Sequence, residues 1–172
     1  MNRKFVLLIA AATFALAALS AFADTSAASP RQASSGAFVA LGKTALGTVL
    51  VDARGRTLYL FDKDKRGKSA CYGACAAYWP PLLSSAKPRQ GKGVRASLLG
   101  LTTRTDGKRQ VTYAGHPLYR FIGDKQAGQT TGEGLTDFGA AWDAIAASGR
   151  AVEPTTSDST GASSGYGGGY GG

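Results

Sequence analysis

The sequence predicts a mainly β protein: an antiparallel β-rich single domain built from two hairpin-containing repeats, with short helices. Residues 47–83 and 107–146 resemble each other along the chain. Each copy contains two runs rich in β-branched and aromatic residues around a glycine-containing turn, which is typical of a β-hairpin. Strands do not alternate with long helical patterns, as they would in a parallel α/β fold.

The internal repeat appears as a shift of 60 residues that superposes seven pairs of identical residues. The pairs are Val51 and Val111, Gly55 and Gly115, Leu58 and Leu118, Tyr59 and Tyr119, Phe61 and Phe121, Asp64 and Asp124, and Lys65 and Lys125. With three further residues inserted, Trp79 of the first copy also meets Trp142 of the second. Because chance rarely aligns such a set, the sequence indicates a duplication.

The elements are predicted from hydrophobic pattern and turn residues. In chain order, strands are expected at 38–41, 48–52, 57–61, 97–104, 110–113 and 117–121, and short helices at 73–79 and 140–147. The two hairpins are those of 48–61 and 110–121. Six short strands joined mainly by tight turns favour an antiparallel sheet closed over one core.

Residues 1–23 have the three parts of a secretory signal peptide. Arg3 and Lys4 precede an apolar run at 5–19, and the Ala-Phe-Ala sequence at 21–23 is a cleavage site. The run is shorter than the roughly 20 residues that a membrane-spanning helix needs. We therefore expect a periplasmic or secreted protein with no transmembrane segment in its mature chain, and no nearby cysteine offers a site for lipid attachment.

Composition divides the rest of the chain into three parts. Residues 24–36 are small and polar and are predicted to be a flexible linker. Residues 37–153 have the length and apolar content of one domain. Residues 154–172 are rich in glycine, serine and tyrosine and are predicted to be a disordered tail.

The chain is basic, with a formal net charge of +9 that falls to +7 once Arg3 and Lys4 leave with the signal peptide. Outside the cytoplasm, such an excess favours association with an anionic polymer of the cell envelope, although a merely solvated basic surface explains it equally well. The lysines and arginines are scattered and no nucleic-acid-binding motif is present. Nucleic acid is therefore an unlikely partner.

Two copies of one short motif stand at equivalent places in the repeats. Tyr59-x-Phe61-x-x-Asp64 and its second copy, Tyr119-x-Phe121-x-x-Asp124, resemble the secreted repeat family, often lipoproteins, with the motif Y-x-[FWY]-x-x-D. Segments 71–75, 79–82, 113–119 and 138–142 carry further features of that family. The family is mostly described as of unknown function, so the resemblance implies export and fold but no activity.

The aromatic residues of the motif have a structural interpretation. In a strand, Tyr59 and Phe61 share one face while Leu58 and Leu60 share the other, so both faces are predicted to be apolar. In the second copy Arg120 replaces Leu60, which predicts a wetter face there.

The motif aspartates follow the strand, where a carboxylate accepts hydrogen bonds from the N–H groups of a turn. This structural role is the favoured interpretation of Asp64 and Asp124. The alternative is that the two carboxylates converge in one cleft, as acid and base of a hydrolase or as ligands of a hard cation.

Cys71 and Cys75 are the only cysteines, and an oxidising compartment predicts a disulfide between them. On a helix their Cα atoms would lie about 6 Å apart, which a disulfide accepts once the backbone bends at Gly73. The spacing is not the C-x-x-C of thioredoxin-like enzymes, so a structural bond is favoured. A redox or electron-transfer accessory using this pair, docking on an envelope redox protein, is the alternative function.

His116, the only histidine, lies in the second hairpin turn and is interpreted as solvated or hydrogen-bonded within the turn. One histidine and two bonded cysteines do not make a zinc site, so neither a metal nor a cofactor is expected. The sequence therefore favours an exported, non-enzymatic binding or interaction module of the cell envelope.

Overall fold

The computed structural model describes residues 36–152. The predicted signal peptide, the predicted linker except Gly36, and the predicted tail lie outside the described residues. Within the described part, no helix is both long enough and apolar enough to cross a bilayer.

The described chain is mainly β-structure, as predicted. The strands are β1 Phe38–Thr44, β2 Gly47–Asp52, β3 Tyr59–Phe61, β4 Arg89–Gln90, β5 Leu99–Thr103, β6 Arg109–Tyr113, β7 His116–Pro117, β8 Leu135–Asp137 and β9 Ala140–Ala144. One short helix, α1, spans Ala74–Tyr78, and a single 3₁₀ turn spans Ala96–Leu98. The predicted strands at 38–41 and 97–104 and the predicted helix at 73–79 are confirmed, with boundaries that differ by a few residues.

The strands form three sheets of three strands each, with the orders β2-β1-β4, β3-β9-β8 and β5-β6-β7. Neighbouring strands are antiparallel except for the two-residue pairing of β1 with β4. The prediction of an antiparallel fold is therefore confirmed, although the strands are distributed over three small sheets and not over one.

The two predicted hairpins differ in completeness. In the second, β6 and β7 pair directly, with Tyr113 opposite His116 across a tight turn at Ala114 and Gly115. The predicted strand at 117–121 is wrong beyond Pro117, where β7 ends, because Tyr119 bridges instead to Tyr59 and Pro81. In the first, β2 meets the returning chain at the bridge between Val51 and Thr57. The chain then leaves β2, and β3 pairs with β9.

The predicted helix at 140–147 is wrong, because residues 140–144 form β9. Its alanines favour a helix, but the buried residues Trp142 and Ala144 alternate with partly buried neighbours, which is typical of a strand. Pairing with β3 on one side and β8 on the other satisfies the backbone of β9. Tertiary contacts thus override the local helix propensity.

The alternation predicted for residues 58–61 is confirmed. Leu58 and Leu60 belong to an aliphatic core, and Tyr59 and Phe61 belong to an aromatic core. The aliphatic core is made of Val39, Leu50, Leu58, Leu60, Leu82, Val94, Val111, Tyr113, Leu118 and Ile145. The aromatic core is made of Val49, Val51, Tyr59, Phe61, Cys71, Cys75, Trp79, Tyr119, Trp142 and Ala144. One short strand therefore contributes to both cores.

Candidate functional site

The two repeats meet at their equivalent tyrosines. The backbone N–H of Tyr59 donates to the carbonyl of Tyr119 at 2.9 Å, and the N–H of Tyr119 donates to the carbonyl of Tyr59 at 3.0 Å. These two bonds form an isolated antiparallel bridge. Because equivalent positions of the two repeats face each other, the bridge lies at the centre of a local two-fold relationship.

The motif tyrosine of each repeat binds the motif aspartate of the other. The Tyr59 hydroxyl donates to Asp124 Oδ2 at 2.7 Å, and the Tyr119 hydroxyl donates to Asp64 Oδ2 at 2.8 Å. The second oxygen of each carboxylate accepts from its own turn. Asp124 Oδ1 accepts from the Thr131 N–H at 2.9 Å, and Asp64 Oδ1 accepts from the Ala70 N–H at 2.7 Å.

These contacts favour a structural role for both aspartates. Each carboxylate is bound on one oxygen by its own loop and on the other by a different tyrosine, so the two do not act on a shared proton or ion in this geometry. Within residues 36–152, no group of three or more histidine, cysteine, aspartate or glutamate residues is arranged to hold a metal ion.

Burial changes the protonation of this cluster. Desolvation raises the pKa of Asp64 to about 6, against the opposing effect of the hydrogen bonds from Ala70 and Tyr119. Burial and the neighbouring carboxylates also raise the pKa of both tyrosine hydroxyls. The tyrosines therefore remain protonated donors at any physiological pH.

Four aromatic rings also make contacts between the two repeats. Phe61 stacks on Trp142 at 3.9 Å between ring centroids, Trp142 stacks on Trp79 at 4.0 Å, and Trp79 packs on Phe121 at 4.4 Å. Tyr59 meets the edge of Trp79 in a T-shaped contact at 5.4 Å. The tryptophan of each repeat is thus packed against the motif phenylalanine of the other, which places these rings in the core.

The predicted disulfide between Cys71 and Cys75 is present, with a Cα–Cα distance of 5.3 Å. Gly73 between them has a φ of 56°, the left-handed conformation that glycine adopts without strain. Cys71 is fully buried and Cys75 is 6 % exposed. Because thiol exchange needs an attacking thiolate to reach sulfur, this burial favours the structural interpretation over the redox alternative.

A concavity of about 420 Å³ adjoins the second copy of the motif at Arg120 and is lined by three arginines and one aspartate. We call it the arginine pocket; its charged lining residues are Asp52, Arg54, Arg56 and Arg120. Asp52 and Arg56 flank the turn after β2, and Arg120 comes from the second repeat next to the Tyr59–Tyr119 bridge. The two repeats therefore contribute jointly to this pocket.

Asp52 holds the arginines in place. Its Oδ2 accepts from Arg56 Nη2 at 2.7 Å and from Arg120 Nε at 2.6 Å, and its Oδ1 accepts from the Arg54 N–H at 2.8 Å. The side chain of Asp52 is only 3 % exposed, whereas those of Arg56 and Arg120 are 28 % and 26 % exposed. Burial raises the pKa of Asp52, but these hydrogen bonds outweigh it and leave the pKa below its ordinary value.

Donors remain free in the arginine pocket. Among the described residues, no hydrogen-bond partner is found for the Nη atoms of Arg120, for Nη1 of Arg56 or for the guanidinium of Arg54. Asp52 offsets one of the three positive charges, which leaves a formal excess of two. The arrangement is suited to bind an anion, because a guanidinium presents paired N–H donors to carboxylate, sulfate or phosphate oxygens.

Comparison with known proteins identifies the type of domain. The family described as a secreted repeat of unknown function matches residues 40–83 and again residues 100–146. The chain belongs to this family. The two matched segments correspond to the duplication detected in the sequence, and the resemblance drawn from the motif residues is confirmed. No curated protein and no solved structure matches the chain.

Sequence reasoning missed the arginine pocket of this secreted repeat because it followed the residues that the two copies share. The pocket is built from residues that differ between them. At the shift of 60 residues, Asp52 corresponds to Thr112, Arg54 to Ala114, Arg56 to His116 and Arg120 to Leu60. Of these four differences, only Arg120 in place of Leu60 was interpreted, as a sign of a more hydrated face. The other three are the signal in the sequence that could have revealed the pocket.

Proposed function

We propose that this secreted repeat is an exported, non-enzymatic binding module of the cell envelope whose arginine pocket binds an anionic group of its ligand. The observation that carries the proposal is that guanidinium groups from both repeats share one buried carboxylate while keeping free donors in a concavity. The predicted signal peptide supports an address outside the cytoplasm, as does the description of the family as secreted.

The geometry of Asp52 supports binding because this residue fixes the side chains of Arg56 and Arg120 before a ligand arrives. A free arginine side chain loses about 2 kcal/mol of rotamer entropy when it is ordered. Arg56 is already held by two of its nitrogens and Arg120 by one, so part of that entropy is lost on folding and not on binding. A preorganised pair of guanidinium groups discriminates between anionic ligands by their shape as well as by their charge.

Catalysis has less support. Asp64 and Asp124, the candidate acid and base, are each bound by a tyrosine and by backbone or side-chain donors of a turn. The redox alternative likewise has less support, since the sulfur atoms of Cys71 and Cys75 belong to the aromatic core.

The test is a titration of the ¹⁵N-labelled protein with digalacturonate, a small probe that carries two carboxylates. We expect shifts of the backbone signals of Arg54 and Arg56, and at least a tenfold loss of affinity in Arg120→Leu, which installs the residue found at this position in the first repeat. Arg150→Gln removes one exposed positive charge outside the pocket and should change affinity less than about twofold.

Equal losses in Arg120→Leu and Arg150→Gln would show a non-specific charge effect and contradict the proposal. Unchanged binding in Arg120→Leu would contradict it as well. The dispersion of the amide signals in each variant checks that the protein remains folded.

A further inference from the structure

The arginine pocket shares lining residues with two other concavities. A neighbour of about 430 Å³ shares Leu83, Ser84 and Ser85 with it, and a smaller one of about 250 Å³ shares Arg56 and Arg120. The arginine pocket thus lies between the other two. We call this row of three adjoining concavities the groove.

We propose that this groove binds an extended acidic polysaccharide, with successive carboxylate or sulfate groups of one polymer chain seated along it. The inference rests on the proposed function, because the arginine pocket is the middle of the groove. It adds the ligand class, a polymer with repeated charges, and the further residues that would contact it.

Positive charge runs the length of the groove. Lys108 and Arg109 line the first concavity, Arg54, Arg56 and Arg120 the middle one, and Lys125 the last. The acidic lining residues are Asp52 and Asp124, which are both buried and already hydrogen-bonded. The charge presented to a ligand is therefore positive throughout, as a polyanion with repeated charges requires.

One extended segment borders the groove along its length. Residues 80–85 run beside all three concavities, with Pro80 in the smallest and Leu83 to Ser85 in the other two. The segment is held on both sides: the Arg120 N–H donates to the Pro80 carbonyl at 2.9 Å, and the Ser84 N–H donates to the Arg109 carbonyl at 3.0 Å. The Arg109 side chain also donates to the Ser85 carbonyl at 3.1 Å. The backbones of Arg109 and Arg120 and the side chain of Arg109 are thus bound to this segment.

The lining favours a polysaccharide over a nucleic acid. Proteins that bind single-stranded nucleic acid offer free aromatic faces on which bases stack. The aromatic residues of the groove are Phe38, whose ring faces the Arg89 guanidinium at 5.7 Å, and Phe121, which packs on Trp79. The exposed Ser85 hydroxyl, in contrast, is suited to hydrogen-bond a sugar hydroxyl.

The test measures affinity by isothermal titration calorimetry for galacturonate oligomers of two, four, eight and twelve units, at one fixed salt concentration. We expect affinity to rise at least tenfold from the dimer to the octamer. The double variant Lys108→Gln, Arg109→Gln should lose at least fivefold in octamer affinity with dimer affinity unchanged, whereas Arg120→Leu should weaken both.

The control is Lys43→Gln with Lys92→Gln, which removes two exposed charges that do not line the groove, and it should change octamer affinity less than about twofold. In one outcome, dimer binding depends on Arg120 while affinity depends neither on the length of the oligomer nor on Lys108 and Arg109. That result would overturn the proposed groove and leave the proposed function of the arginine pocket intact. If Arg120→Leu changes neither affinity, the proposed function itself fails. Tighter binding of an oligodeoxythymidylate of equal charge would overturn the choice of a polysaccharide.

Discussion

The hydroxyl of Tyr59 donates a 2.7 Å hydrogen bond to the carboxylate of Asp124, which lies 65 residues further along the chain. Its counterpart joins Tyr119 to Asp64 at 2.8 Å in the opposite direction. The tyrosine and the aspartate of one repeat therefore do not bind each other, because each tyrosine donates to the aspartate of the other copy. The motif acts as a reciprocal connection between repeats, and this explains why a tyrosine and an aspartate recur together in each.

Removing one of these hydroxyls should destabilise the fold unequally. Tyr59→Phe removes the donor to Oδ2 of Asp124, a residue that is 4 % exposed, and should reduce the free energy of unfolding by about 1–3 kcal/mol. Tyr119→Phe should cost less, because Asp64 is more exposed and a lost donor there is replaced by water. Urea unfolding followed by tryptophan fluorescence measures both. Tyr78→Phe, on an exposed ring, is the control, and a cost for Tyr59→Phe no larger than that of the control would contradict the role of this bond.

Asp64 should make the protein less stable as the pH rises from about 4 to about 6. Its pKa is about 6 in the folded protein and 3.8 when unperturbed, so between these values the folded state retains a proton that the unfolded state has lost. Stability falls with pH wherever the folded state binds more protons, and this contribution becomes constant only once the pH is well above the folded-state pKa of about 6. Asp52 has a lowered pKa and acts in the opposite direction, but only at pH values below 3.8.

Asp64→Asn tests this effect because it removes the titration, while its one amide oxygen still accepts from the Ala70 N–H and its NH2 group faces the Tyr119 hydroxyl oxygen, which accepts in turn. The variant should lose much of the decline in stability between pH 4 and pH 6, as measured by urea unfolding at half-unit steps. The part that remains is assigned to groups such as Glu133, whose pKa is also raised by burial. Parallel profiles for the variant and the original protein would show that Asp64 does not titrate in this range.

Side-chain direction within a strand was predicted correctly from the sequence. Features that depend on contacts between distant segments were not. The alternation of Leu58 and Leu60 against Tyr59 and Phe61 was predicted correctly, because side-chain direction in a strand depends only on local geometry. The strand at 140–144 was not, because its conformation is set by pairing with β3, which is some eighty residues earlier in the chain. The residue pattern within one segment carries no information about the distant strand with which it pairs.

The same limit applies to the sites. The motif residues were found because they repeat, but their exchange between copies follows from the way β3 leaves the first hairpin. The arginine pocket brings together Asp52, Arg56 and Arg120 from positions separated by up to 68 residues. Duplication supplied a symmetric scaffold, and the pocket lies where the two copies differ.

The stacked tryptophans should account for a large part of the stability. Trp142 is fully buried between Phe61 and Trp79, so Trp142→Ala should cost about 3–5 kcal/mol through lost burial and the cavity left behind. Phe138→Ala removes an exposed aromatic ring and should cost less than about 0.5 kcal/mol. Thermal or urea unfolding followed by circular dichroism compares the two, and similar costs would contradict the assignment of Trp142 to the core.

The disulfide between Cys71 and Cys75 should behave as a buried structural bond. Its sulfur atoms lie in the aromatic core, so thiol labelling of the native protein in reducing buffers should be slow and should require local opening of the loop. Replacing both cysteines by serine should cost about 2 kcal/mol, the chain-entropy value for so short a loop, and should leave anion binding unchanged. A redox titration followed by thiol labelling should give a midpoint below about −300 mV, as expected for structural bonds of secreted proteins. A midpoint near −200 mV, together with rapid labelling of the native protein, would instead make thiol exchange the leading function of this pair.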